Sequence, residues 1–151
     1  MDCPTIISLV ESELDLNHLL SQITLPTTGA VVFFTGTVRG QTALTGLKTD
    51  FLEYEAYPPM ALSKMQQIGE EIREKWPAVE GIAIIQRIGR LPPGSATTLI
   101  ACSSAHRNTG VFEAAKFGID RLKEIVPIWK KEIGPKAEMW IEGGYHPDQG
   151  E

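Results

Sequence analysis

Cysteine is almost missing from these 151 residues: Cys3 and Cys102 stand far apart, with no C-x-x-C spacing. That excludes a disulfide framework or a structural zinc site as the organising device. No apolar run approaches the roughly 20 residues a bilayer-spanning helix needs, so no membrane role is expected. The opening M-D-C-P-T-I-I-S carries an acid where a secretion signal carries basic residues; no targeting segment is expected, and the cytoplasm is the expected compartment. Neither G-x-G-x-x-G nor G-x-x-x-x-G-K-[ST] occurs, which removes the common phosphate-cradling loops of nucleotide folds. No H-E-x-x-H and no clustered carboxylates point to a metal, and no cofactor is expected. Histidine is scarce, at positions 18, 106 and 146. Ser103 and Ser104 lie beside His106 in sequence, but such close neighbours do not make a nucleophile triad. Internal repeats and low-complexity tracts are absent as well.

What remains is an ordinary globular composition, 42% hydrophobic and 22% charged with net charge −5. The length fits one domain over 1–151, closing in a polar tail at 144–151. Charge is unevenly spread. Between Ala105 and Lys136 seven cations meet four anions, a local +3 in a chain of −5, so the remainder carries −8. A basic island in an acidic chain points to a small anionic ligand held locally. A nucleic-acid track would need a broad basic stripe instead.

The pattern along the chain predicts an α+β fold with a mixed or largely antiparallel sheet and packed helices. Thr5–Val10 reads as a strand, and Asp15–Ile23 as a short helix in which His18 has no second ligand nearby. A turn at 26–29 leads to Gly29–Val38, a nearly continuous apolar run that reads as a buried strand. Arg39 and Gly40 close it; this spacing fits a site rim and a solvated strand end equally. Gln41–Thr49 reads as a loop and Asp50–Ala56 as a half-exposed strand. Pro58 and Pro59 open a helix whose stripe is Ala61, Met65, Ile68, Ile72 and Trp76. Gly81–Ile88 and Ala96–Ser103 read as a hairpin joined by a tight turn at Gly89–Gly94, with Arg87 and Arg90 serving solubility. Cys102 reads as a buried, inert thiol. Asn108 and Thr109 are the expected N-cap of the next helix, with Phe112, Ala115, Ile119, Leu122, Ile125, Val126 and Trp129 as its stripe. Pro127 ends or kinks that helix and redirects Ile128–Glu132. Ala137–Glu142 is the last strand, and His146 in the tail reads as inert.

Arg107 and Lys123 are the chemically useful cations, with His106, Arg39 and Lys130 as companions. Lysine crowded by other cations loses its proton more readily and becomes a better nucleophile. Arginine binds phosphate or carboxylate bidentately, and histidine shuttles protons near neutrality. As a set they favour an anion site over a solvated face.

F-T-G-T-V-R at 34–39, S-A-H-R at 104–107 and L-K-E-I-V-P-I-W-K-K-E at 122–132 resemble the large, catalytic subunit of molybdopterin synthase. L-E-Y-E-A-Y-P, R-I-G-R-L-P-P-G and M-W-I-E support the resemblance, which runs from Gly29 to Glu142. It implies an α/β-hammerhead-like fold with an added sheet. It also implies conversion of cyclic pyranopterin monophosphate (precursor Z) to molybdopterin. The sulfur would come from a thiocarboxylate on the C-terminal glycine of a small ubiquitin-like subunit. The implied assembly is a heterotetramer around a homodimer of large subunits. Lys123 and Lys130 match the family's active-site lysines; Arg39, His106 and Arg107 match positions that bind phosphate and pterin. An arginine that some members contribute across the dimer is replaced here by Gly144. Two rival readings are a non-catalytic docking module for a ubiquitin-like tail and a lysine Schiff-base lyase acting on a phosphorylated carbonyl compound.

Overall fold

The computed structural model describes residues 2–41, 48–135 and 138–141. In chain order its elements are β1 (Thr5–Val10), α1 (Leu16–Ile23), β2 (Ala30–Thr37), β3 (Phe51–Ala56), α2 (Pro58–Lys75), β4 (Val79–Arg87), β5 (Gly89–Leu91), β6 (Ala96–Ser104), α3 (Val111–Ile125), β7 (Ile128–Ile133) and β8 (Glu138–Ile141). They form two four-stranded sheets, ordered β1-β4-β6-β2 and β5-β3-β7-β8. Among the described residues only β1 and β4 pair in parallel; the remaining strand pairs are antiparallel. The expected α+β mixture is thus observed, divided between two sheets. Most of the loop at 41–49, Lys136 and the tail with Gly144 and His146 lie outside the described residues.

The first sheet is covered on both faces, which explains why β4 and β6 read as unbroken apolar runs. Alternate residues serve opposite sides. Ile82, Ile84, Ile100 and Cys102 face α2 and α3 in the larger core. Ala83, Ile85, Leu99 and Ala101 face Leu19 and Ile23 of α1. Asp15 starts α1 by accepting a hydrogen bond from the His18 amide at 3.0 Å. β2 is not the buried strand expected from its composition. It forms an edge of this sheet, with a strand neighbour only at β6, so Ala30–Phe34 is half-buried.

Two further expectations shift. Gly89–Leu91 is not merely a turn: it is a short strand that leaves the first sheet and pairs with β3 in the second. The cap of α3 is Gly110, in a left-handed conformation, rather than Asn108 or Thr109. That start sets the buried stripe at Val111, Ala114, Ala115, Gly118, Ile119, Leu122 and Ile125, leaving Phe112 59% exposed. Gly118 is needed for close approach, since a Cβ there would sit 2.7 Å from Ile100 Cγ2. Trp129 lies in β7, not on the helical stripe, and is exposed.

The second sheet has two unlike faces. Its outer face carries a charge ladder in which Glu53 meets Arg90 at 3.8 Å and Lys131 at 3.9 Å, and Lys131 meets Glu138 at 3.1 Å. Arg90 also lies over Phe51, and Lys131 over Trp140. The inner face supplies Leu52, which joins Val38 and Leu91 in a small core against Tyr54.

Candidate active site

Three elements bring the site together. Lys123 stands in the last turn of α3, where a cation suits the negative end of the helix dipole. The helix then stops as the sequence requires. Val126 turns extended at ψ 124°, its amide makes the last helical bond to the Leu122 carbonyl, and Pro127 cannot continue the ladder. The chain re-enters directly as β7. There, period-two alternation separates two adjacent lysines. Lys131 joins the outer charge ladder, while Lys130 goes to the inner face, opposite Tyr54 and beside Glu132. Arg39 follows β2 immediately after Val38, which is pinned in the small core and hydrogen-bonded through its backbone to Ser95 and Gly94.

Electrostatics ties these residues into one cluster. Burial pushes the Lys130 ammonium below the ordinary lysine range, and Lys123 and Arg39 push it further down. Glu132 opposes them with the smallest of the four influences. Charge–charge influence of this kind falls off with distance, which places Lys123 and Arg39 in the neighbourhood of Lys130. A lysine in that setting holds a larger neutral-amine fraction than a surface lysine and can act as base or nucleophile.

His106 and Arg107 do not join this cluster within one chain. They sit exposed in the loop between β6 and α3. The loop backbone is fixed, with the Ser104 and Thr109 hydroxyls donating to the His106 carbonyl at 2.6 and 2.8 Å. They precede the first turn of α3, whereas Lys123 lies in its last turn, about 18 Å along the helix axis from Val111.

Residues the sequence reading passed over support the cluster. The Tyr54 phenol is half-buried, hydrogen-bonded to Thr97, and raised in pKa by desolvation, so it stays neutral beside Lys130. Thr49, 2% exposed, donates its hydroxyl to Glu132 Oε1 and its amide to the Gly40 carbonyl at 2.9 Å. The usable signal was the i, i+2 spacing of Lys130 and Glu132, which acquires meaning once Ile128–Ile133 is known to be a strand.

Other features are less suited to chemistry. Cys102 is buried in the larger core and its thiol is pushed up to about 12, so it supplies no thiolate. Two surface clefts are lined by neither Lys123 nor Lys130. One, of about 440 Å³, runs between α1 and the start of β2. The other, of about 430 Å³, lies over the Arg121–Glu71 ion pair joining α2 and α3. Among the described residues no group of three His, Cys, Asp or Glu side chains could hold a metal, and no helix is long and apolar enough to cross a membrane.

Comparison with known proteins agrees with the geometry. The MoaE protein family model matches residues 9–125. The molybdopterin synthase catalytic subunit of Halalkalibacterium halodurans is 44% identical over 134 residues, 89% of this chain and 83% of that protein. The corresponding subunit of Staphylococcus carnosus is 50% identical over 125 residues, 82% of this chain and 81% of its own. The crystal structure of molybdopterin synthase from Staphylococcus aureus superposes with a TM-score of 0.83 at 43% identity, covering 90% of this chain and 96% of that one. With family model, sequence relatives and fold in agreement, the chain belongs to the MoaE family, that of the molybdopterin synthase catalytic subunits.

Proposed function

We propose that Lys123, Lys130 and Arg39 form the reacting centre at which cyclic pyranopterin monophosphate receives its dithiolene sulfurs. The sulfur donor is the C-terminal thiocarboxylate of a small ubiquitin-like carrier, threaded toward Lys123. The observation that carries this reading is the influence of two cations, Lys123 and Arg39, on the half-buried Lys130 of the inner sheet face. A substrate phosphate and a carrier thiocarboxylate are both anions, and each would relieve the repulsion among those cations on binding. Lys123, exposed at the helix end, meets the carrier's terminal carbonyl and stabilises charge there or transfers a proton. Lys130, more enclosed, contacts the pterin or the intermediate. Arg39 holds phosphate.

His106 and Arg107 complete the anion pocket from a second copy of the chain. Their distance from Lys123 along α3 supports that arrangement, as does their exposure. The working enzyme is then a homodimer of catalytic chains, each with a carrier subunit, acting in the cytoplasm as a heterotetramer.

Lys123→Ala, supplied with thiocarboxylated carrier and pterin precursor, tests the assignment. Loss of one charge contact to the transition state is expected to slow molybdopterin formation about a hundredfold, or ~3 kcal/mol. Undiminished product formation would remove Lys123 from the mechanism.

A further inference from the structure

We propose that Thr49 is a positioning residue that draws the Glu132 carboxylate away from Lys130, leaving Lys130 to face Lys123 and Arg39 without a paired anion. The inference rests on the reading of Lys130 as a site residue and extends it to a residue that touches no substrate.

The geometry comes from strand register. β3 and β7 run antiparallel, with Tyr54 opposite Lys130 and Leu52 opposite Glu132. The Asp50 amide bonds the Ile133 carbonyl at 2.8 Å, so Thr49 lies beyond the Ile133 end of β7. Lys130 lies the other way, two residues from Glu132, or about 7 Å along the strand on the same face. A carboxylate held by Thr49 is therefore pulled along β7 in the direction opposite to Lys130. Thr49 is itself fixed. It is buried, and its amide is bound to the Gly40 carbonyl next to Arg39. One small side chain thus joins the segment that carries Arg39 to the strand that carries Lys130.

The ionic contacts agree. Lys130 takes part in none of the ion pairs formed among the described residues, although a carboxylate stands two positions away on its own face. Among the described residues the charged and titratable groups facing Lys130 are Lys123 from α3, Arg39 after β2, Glu132 on β7 and the neutral Tyr54 from β3. The paired position on β8 is Ile141, which carries no charge. Glu132 exerts the weakest of the influences on Lys130, as a carboxylate turned aside should. A closed Lys130–Glu132 pair would neutralise the cation that substrate anions need and keep its amine protonated.

The experiment is a titration of Lys130 in the full chain with carrier bound, read by NMR of ¹³Cε-labelled lysine. The Lys130 resonance is identified by its loss in Lys130→Met. Thr49→Val removes the hydroxyl at nearly constant volume. It removes one of the holds on Glu132, letting the carboxylate shift toward Lys130, and should raise the Lys130 titration by roughly one pH unit. Thr49→Ser, which keeps the hydroxyl, should leave it in place. In a Glu132→Gln background, Thr49→Val should produce no rise, because there is no charge to release. Glu132→Gln alone should change the titration less than Thr49→Val does. No shift or a downward shift in Thr49→Val overturns the proposal, as does a rise that persists without the Glu132 charge. A large fall in Glu132→Gln alone would show that the pair is already closed, and it decides the matter even if Thr49→Val does not fold. Activity of Lys130→Ala separates the two levels. Full activity there sinks the site reading, whereas lost activity with an unmoved titration in Thr49→Val sinks only the role of Thr49.

Discussion

Lys130 is destabilising in the folded chain by the same features that make it useful. Its native pKa lies below the ordinary lysine value of 10.5, through burial first and then through Lys123 and Arg39. Below the native pKa both the folded and unfolded states hold the proton, and the folded state bears the full penalty. As pH climbs from the native pKa toward 10.5, the unfolded chain binds more protons than the folded one, so stability rises with pH. Lys130→Met should therefore be more stable than the parent at neutral pH, with its advantage shrinking across that window. Thermal melts of both chains between neutral and pH 10.5 would check this, and an advantage that grows with pH would contradict it. The cations were legible in the sequence because each stands in a motif at the end of an element: Arg39 after an apolar run, Lys123 before Pro127, Lys130 after it. Thr49 and Glu132 were not. Thr49 sits in a stretch of little periodicity, and its partner is 83 residues away.

Among the elements, α3 carries Lys123 in its last turn and follows the His106–Arg107 loop at its start, so its boundaries matter more than its propensity. The stop was readable, because proline forbids continuation for a local reason. The start was not. Asn108 and Thr109 are better caps by type than glycine, yet the position adopted has φ 99° and lies against the Trp76 ring, where a Cβ would approach Cδ1 to 2.4 Å. Tertiary contact overrode local preference, and the stripe moved off Phe112 with it. Substitution separates the two causes. Gly94 has φ 86° with nothing within 4 Å, so Gly94→Ala carries backbone strain alone, about 1 kcal/mol. Gly110→Ala carries that strain and also displaces Trp76, whose ring is held edge-on by Phe117 at a centroid distance of 5.5 Å. It should cost about 3 kcal/mol. Urea unfolding midpoints would measure both, and equal losses would mean that Trp76 yields freely. The edge position of β2 was hidden for a related reason: composition reports how apolar a strand is, not how many neighbours it has.

At the scale of the whole molecule the question is where the second half of the anion pocket comes from. Within one chain Arg107 precedes the first turn of α3 and Lys123 lies in its last, with about 18 Å of helix axis from Val111 to Lys123, a separation that favours two different chains as their sources. If a second copy supplies His106 and Arg107, each site is a composite, and a symmetric dimer contains two of them. Complementation distinguishes the arrangements. Chains carrying Lys123→Ala or Arg107→Ala should each form poorly active dimers. In a mixed dimer, one site combines the intact Lys123 of one chain with the intact Arg107 of the other, while the second site carries both defects. Random assembly makes half the dimers mixed, so co-expression should restore about a quarter of parental activity. Sites confined to a single chain would give no recovery above the two variants measured separately. Recovery that appears with Arg107→Ala but not with Arg39→Ala as the companion variant would place Arg39 on the Lys123 side of the dimer, where its influence on Lys130 already puts it.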